Sequence, residues 1–164
     1  MAKTAKDKTE KTNAMRMLDQ AGISYGFYEY EYDESDLSGN HAAAYLGIDE
    51  DQMFKTLVAR GEDKQLAVFV IPVSGNLDLK KAASASHHKK VEMIHVKELV
   101  GLTGYMRGGC SPIGMKKAYP TYIDETCILF DEIYVSAGRR GEMLSISPEV
   151  LLEFVGAETA DIVK

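Results

Sequence analysis

The sequence predicts an α+β fold: a single domain on a mixed β-sheet or distorted barrel, flanked by short helices. Three observations carry that prediction. Apolar runs are strand-sized, as in Leu66 to Ile71. Helical stretches are short and carry start and stop residues, as in Ser147-Pro148 ahead of an apolar run that ends at Gly156. The two kinds of segment mix without regular βαβ alternation, so a doubly wound parallel sheet is not expected. At 164 residues the chain is long enough for one full hydrophobic core, and no internal repeat or linker divides it. The expected domain is therefore residues 1–164, with 1–8 as a flexible lead-in.

Thr9 or Thr12 caps a first helix on which Ala14, Met17, Leu18 and Ala21 recur at helical spacing, with Gly22 as its stop. Ser24 to Tyr32 reads as an aromatic-rich strand, with Tyr28, Tyr30 and Tyr32 on one face. Such a stripe either packs as half-buried core or stacks on a base or sugar, and two of the three are expected in the core. Ser38 caps a short helix, His41 to Leu46, that ends at Gly47. Met53 to Ala59 is a strand carrying one lysine, Lys55, between Phe54 and Leu57. Gly61 to Lys64 turns the chain into Leu66 to Ile71, whose continuous apolar character marks a central strand broken at Pro72.

Asp78 to Ser86 follows as a helix, Val91 to Ile94 as a brief strand and Val96 to Val100 as a helical turn. Thr121 to Asp124, Ile128 to Phe130 and Ile133 to Ser136 read as strands. Gly138-Arg139-Arg140-Gly141 is a hairpin turn into Met143 to Ile146. The last helix starts at the Ser147 cap.

Composition narrows the function. No apolar run approaches the ~20 residues of a membrane span, and the polar, Lys-rich start predicts no signal peptide. Cys110 and Cys127 are too few for a disulfide scaffold and read as free thiols of a reducing cytoplasm. A net charge of −6 argues against a whole-surface nucleic-acid binder. Basic residues nevertheless come in pairs, among them Lys80-Lys81, Lys116-Lys117 and Arg139-Arg140. Singly each pair is a solvated surface; brought to one face, they would attract phosphates.

Gly108-Gly109-Cys110-Ser111-Pro112-Ile113-Gly114 is the most distinctive stretch. Its glycines and proline exclude regular structure, leaving either a shaped loop that offers amides to an anion or oxyanion, or a tight connection between strands. It is not a P-loop, because Met115 stands where the lysine belongs. It lacks the closing glycine of a hydrolase nucleophile elbow. No histidine and cysteine spacing suits zinc, and no G-x-G-x-x-G suits a dinucleotide, so no metal and no cofactor are expected. Cys110 has no histidine nearby in sequence to activate it.

Four segments in order resemble one family: Phe54-Lys55-Thr56-Leu57, Asn76-Leu77-Asp78-Leu79-Lys80-Lys81, the 108–114 loop, and Tyr134-Val135-Ser136-Ala137-Gly138-Arg139-Arg140-Gly141. They are similar to the YbaK-type aminoacyl-tRNA deacylases, related to the editing domain inserted in bacterial prolyl-tRNA synthetases. The likeness is nearer to the branch acting on cysteinyl-tRNA(Pro) than to the alanyl branch. It implies trans-editing of mischarged Cys-tRNA(Pro) or Cys-tRNA(Cys), with substrate-assisted cleavage of the aminoacyl ester. Alternatives are an Ala-tRNA(Pro) deacylase and a non-catalytic module that binds tRNA or a synthetase.

The resemblance implies Lys55 as the catalytic residue. Tyr30, Gly109, Ser111, Pro112, Ile113, Gly114, Ser136 and Gly138 would line the aminoacyl pocket. Lys80, Lys81, Lys116, Lys117, Arg139 and Arg140 would meet phosphates of the acceptor end. Implied partners are the tRNA(Pro) acceptor end and prolyl-tRNA synthetase, in the cytoplasm. Ala137 stands where the family commonly has glycine, and its methyl is expected to narrow the pocket.

Overall fold

The chain's most apolar run, Leu66–Pro72 (β3), sits in the middle of a five-stranded sheet and is buried along almost its whole length. The structure is a computed structural model that describes residues 10–164. β3 pairs antiparallel with Phe54–Gly61 (β2) on one side and parallel with Thr121–Asp124 (β5) on the other. Val91–Met93 (β4) and Glu158–Ala160 (β8) complete that sheet in the order β4-β2-β3-β5-β8. A second sheet of three strands places Glu142–Ile146 (β7) between Gly26–Glu29 (β1) and Ile133–Ser136 (β6).

Five α-helices are described: Asn13–Gln20 (α1), Gly39–Leu46 (α2), Leu79–Ala85 (α3), Val96–Thr103 (α4) and Pro148–Val155 (α5). Their ends follow local chemistry. The Thr12, Ser38, Asp78 and Ser147 side chains each accept an otherwise orphaned first-turn amide. Gly47 and Gly156 close α2 and α5 in left-handed conformations, at φ of 69° and 68°. The Thr9 alternative and the 1–8 lead-in lie outside the described residues. No helix among the described residues is long and apolar enough to cross a membrane.

The two sheets meet on one strand, and that junction makes the cleft. β3 occupies one edge of β2 along its length. On the other edge, β6 meets only the start of β2, through a parallel bridge from Met53 to Tyr134. β4 meets only its end, Ala59 to Gly61. The edge between these contacts, Lys55 to Val58, carries no partner strand among the described residues. Side-by-side residues of a strand turn their backbone groups to opposite edges. The Met53 carbonyl accepts Val73 N–H from the β3 side (2.7 Å), whereas the Gln52 and Val58 carbonyls accept Tyr134 and Ile94 N–H from the other (3.1 and 3.3 Å). That alternation turns the backbone groups of Thr56 into the gap.

Sequence and structure part at several places. Ile128 to Phe130, expected as a strand, belongs to a 3-10 turn, Glu125–Leu129. The Asp124 carboxylate caps that turn through Thr126 N–H (3.3 Å) and Oγ1–H (2.7 Å), and only Cys127 points inward, leaving Ile128 and Leu129 exposed. Ile128 and Leu129 are apolar without being core, and of the three residues of the expected strand only Phe130 packs partly against it. β8 escaped the sequence because Glu158-Thr159-Ala160 has no apolar run. β1 ends at Glu29, short of the expected Tyr32, although Tyr30 N–H still reaches the Gly141 carbonyl at 2.9 Å. Tyr28 and Tyr30 pack half-buried against the cluster of Ala42, Met53, Val73 and Met143, while Tyr32 is exposed, matching two core tyrosines of three.

Candidate active site

The gap along β2 opens into a cleft of about 440 Å³. Phe54 to Val58 form one wall, Ser136 and Tyr30 another, and Gly108 and Cys110 a third. Its floor is apolar, from Ala42, Met53, Val73 and Met143. At the mouth stand Asp36, on the loop into α2, and Arg107.

Lys55 is the cleft's amine. No ion pair or hydrogen bond of its ammonium group is found among the described residues, and burial pushes its pKa below the ordinary 10.5. A half-buried, unpartnered cation is costly to keep unless something charged or polar is received beside it. Thr56 adds a second unpartnered group: among the described residues its Oγ1 is the one buried side-chain oxygen or nitrogen with no hydrogen-bond partner. Thr56 lines the cleft, but this oxygen is closed off from its surface, on the strand face that also carries Phe54 and Val58. Ser136 Oγ accepts Gly138 N–H at 3.1 Å, which leaves its own proton free to point elsewhere.

Other groups are held rather than poised. Burial raises the Tyr30 phenol above its usual range. The Cys110 thiol, chiefly by burial, is pushed up to about 11, so it stays protonated near neutrality and is a poor nucleophile. The Asp36 carboxylate is held below its usual range by Ser38, whose hydroxyl and amide reach it at 2.6 and 3.2 Å. No histidine lines the cleft, so among the described residues none of its hydroxyls or its thiol has an imidazole base beside it.

The 108–114 loop divides in two. Gly108 and Cys110 face the cleft, but Ser111, Pro112 and Ile113 are buried behind it. Ser111 Oγ accepts Ile113 N–H (3.2 Å), Tyr105 O–H donates to the Ile113 carbonyl (2.6 Å), and Asn13 Nδ2–H donates to the Gly114 carbonyl (2.9 Å). Gly109 lies so close to the β6–β7 turn that a Cβ there would sit 2.9 Å from Arg140 N. Gly138, at φ +105°, packs its Cα against the Tyr105 ring. Ala137 is fully buried in the main core and absent from the cleft lining, so its methyl does not narrow the pocket wall directly.

The basic residues do not gather at the mouth. Lys81 is tied to Asp161 (3.1 Å) and the Val163 carbonyl (2.9 Å), beside Lys80 on α3. Lys116 lies over Gly104 and reaches the Gly101 carbonyl at 3.5 Å. Lys117 lines a separate hollow with Asp63 and His88. Arg139 is paired with Glu142 at 3.1 Å. Arg140 alone of the six touches a cleft residue, donating from Nε to the Arg107 carbonyl at 2.8 Å. Thr56 and Arg107 are among the lining residues that sequence reasoning passed over. Each stands next to a residue it did single out, Lys55 and the Gly108-Gly109 pair, and that adjacency was the available signal.

The cleft of this α+β domain thus offers an amine and several hydroxyls. The family model of the aminoacyl-tRNA editing domain matches residues 38–154, which include Lys55, the glycine loop and Ser136. The chain belongs to that family. It is 49% identical over 159 residues to an Enterococcus faecalis (strain ATCC 700802 / V583) protein named "Putative Cys-tRNA(Pro)/Cys-tRNA(Cys) deacylase EbsC", covering 96% of this chain and 97% of the relative. It is 30% identical over 102 residues to a proline--tRNA ligase of Shouchella clausii (strain KSM-K16), covering 62% of this chain and 18% of the ligase. A crystal structure described as "a putative trans-editing enzyme for prolyl tRNA synthetase" superposes with a TM-score of 0.81 at 26% identity, covering 95% of this chain and 99% of that one.

Proposed function

We propose that this protein is a free-standing deacylase that clears cysteine from mischarged Cys-tRNA(Pro), and from Cys-tRNA(Cys), in the cytoplasm. The observation that carries the reading is the unpartnered Lys55 amine above an apolar floor, in a chain so similar to a relative named for that activity. Cysteine is no bulkier than proline, and small apolar differences are worth only ~1–3 kcal/mol of discrimination, so a synthetase needs a second, hydrolytic check.

In this reading the floor of Ala42, Met53, Val73 and Met143 takes the amino-acid side chain. Tyr30 and Ser136 close the wall, and Thr56 turns its backbone groups toward the aminoacyl moiety. The Lys55 ammonium donates to the ester carbonyl oxygen, where negative charge develops; removing such a donor typically costs ~10²–10³ in rate. No imidazole activates a thiol or hydroxyl of the cleft, so in this reading the substrate supplies the nucleophile. The cysteine thiol attacks its own carbonyl carbon, the C–S bond forms as the ester C–O bond breaks, and the thiol proton passes to the departing ribose oxygen. The thiolactone product then hydrolyses in water. Gly109, Ser111, Pro112, Ile113, Gly114 and Gly138 serve by fixing the loop that presents Gly108 and Cys110. The partner is the tRNA acceptor end; a complex with prolyl-tRNA synthetase on tRNA is the further expectation, checked by co-purification.

Release from Cys-, Ala- and Ser-tRNA(Pro), measured side by side, tests this. Cysteine is expected to leave fastest. Lys55→Ala should abolish release and Cys110→Ser should retain it. Full activity in the lysine variant, or preference for alanine, overturns the assignment.

A further inference from the structure

The mouth of the cleft carries a cation that the deacylase reading does not yet use. Arg107 lines the cleft, is exposed, and forms no ion pair or side-chain hydrogen bond among the described residues. Its neighbour Arg140 is locked against it by the 2.8 Å bond from Nε to the Arg107 carbonyl. Arg140 likewise has no carboxylate partner among the described residues. By contrast, Arg60 is paired with Glu98 (2.8 Å), Arg139 with Glu142 (3.1 Å) and Lys81 with Asp161 (3.1 Å). In a chain of net charge −6, acidic partners are plentiful. The Arg140 side chain is thus anchored on the Arg107 backbone, and neither guanidinium has a carboxylate to give up when an anion arrives.

We infer that Arg107, backed by Arg140, binds a backbone phosphate of the single-stranded 3′ end of aminoacyl-tRNA. This rests on the deacylase reading for the identity of the substrate. Once the aminoacyl group occupies the floor and its ester lies at Lys55, the chain leaves through the mouth as ribose and then phosphate. The phosphate is the substrate's only anionic group near the ester, and Arg107 is the cation at that exit. A guanidinium fork matches two phosphate oxygens at once, which a lysine cannot do. Asp36, the only carboxylate of the lining, makes no ion pair with Arg107 and is occupied by Ser38. The phosphate contact therefore sets where the ester stops relative to Lys55.

Two measurements test this. The first is binding of an amide-linked, non-hydrolysable cysteinyl-tRNA(Pro) by fluorescence anisotropy across a salt series. For a single strand, each phosphate contact adds about 0.7 to the slope of log K against log salt. Arg107→Gln should lower the slope by about that amount and weaken binding roughly tenfold. Arg107→Lys should restore the slope but not all of the affinity. Lys89→Gln, at the far end of β2 beside Glu62, should change neither. The second is deacylation of cysteinyl-tRNA(Pro) against 3′-cysteinyl-adenosine, which lacks the phosphate. Arg107→Gln should raise KM for the tRNA with kcat little changed, and leave the adenosine ester unaffected. An unchanged slope, or equal loss on both substrates, overturns the phosphate assignment. If the wild type cleaves neither ester yet the slope still falls in Arg107→Gln, the deacylase reading fails and the phosphate site stands.

Discussion

The cleft is built from two regions that look equally eligible in the sequence and behave oppositely in the structure. The 108–114 loop has the glycines, the proline and the serine of a ligand-binding turn, yet most of its polar groups are spent inside the protein. Its serine caps its own turn, and the Ile113 and Gly114 carbonyls receive Tyr105 and Asn13. The β2 edge, Lys55 to Val58, reads as an ordinary strand with one misplaced lysine. There a partner strand is missing, a hydroxyl has no partner, and an amine is left uncompensated. Glycine in the loop marks where backbone meets backbone; in the proposed reading, unmet polarity on the strand marks where substrate goes.

Substitution should separate the two regions, and the largest effect belongs to Lys55. Lys55→Met should remove ~10²-fold or more of the deacylation rate while leaving the thermal midpoint unchanged or higher, since it deletes a desolvated charge. The same physics sets a pH dependence. With its folded pKa below the unfolded 10.5, Lys55 disfavours the fold at lower pH, where both states are charged. As pH rises between the two values the unfolded chain binds more protons, so stability rises. The rate above the spontaneous background should fall as pH climbs through the folded value and the ammonium is lost. Lys55→Met should lack that stability rise in a melting series, and a lowered midpoint in this variant at pH 7 would count against the contrast.

The loop side should lose stability first. A methyl at Gly109 meets the Arg139–Arg140 backbone at 2.9–3.2 Å, and one at Gly138 meets the Tyr105 ring at 2.9 Å in a left-handed conformation. Gly109→Ala and Gly138→Ala should each cost about 1–3 kcal/mol in denaturant unfolding, from overpacking and strain. Tyr105→Phe leaves the buried Ile113 carbonyl without its donor, at about 1–3 kcal/mol. In all three variants, activity should fall no further than the folded fraction and loop order allow. Wild-type stability in any of them would show that the loop yields where the packing says it cannot.

This contrast also explains what was legible in the sequence. Caps and periodicity announced α1, α2 and α5, because those signals are local. The central place of β3 followed from its unbroken apolar run. The 3-10 turn at Glu125–Leu129 was misread because exposed Ile128 and Leu129 mimic a strand, and only the Asp124 cap tells otherwise. The cleft itself was not legible, since it arises where β6 and β4 share one edge of β2 and leave its middle bare. Lys55 was singled out as an oddity in its strand, but Thr56 looks like any strand threonine until its hydroxyl is found unpartnered. Gly109 and Ser111 to Gly114 were expected to line the pocket by resemblance. Their burial comes from contacts with Tyr105, Asn13 and the 139–140 backbone, all distant in sequence.

The smallest effect is expected at Thr56, and it is the sharpest discriminator. Replacing a hydrogen-bonded buried hydroxyl by a methyl normally destabilises, because its partner is left unsatisfied. Thr56 Oγ1 has no partner to lose. Thr56→Val keeps the shape and the β-branching that suits a strand, so it should be neutral or slightly stabilising, by no more than about 1 kcal/mol. If the hydroxyl serves the substrate, kcat/KM for Cys-tRNA(Pro) should still fall several-fold, with Thr56→Ser retaining most of it. A variant that is less stable with unchanged activity would place Thr56 with the loop as scaffold. One that is as stable but slower would place it with Lys55, on the side of the cleft that leaves its polarity for the ester.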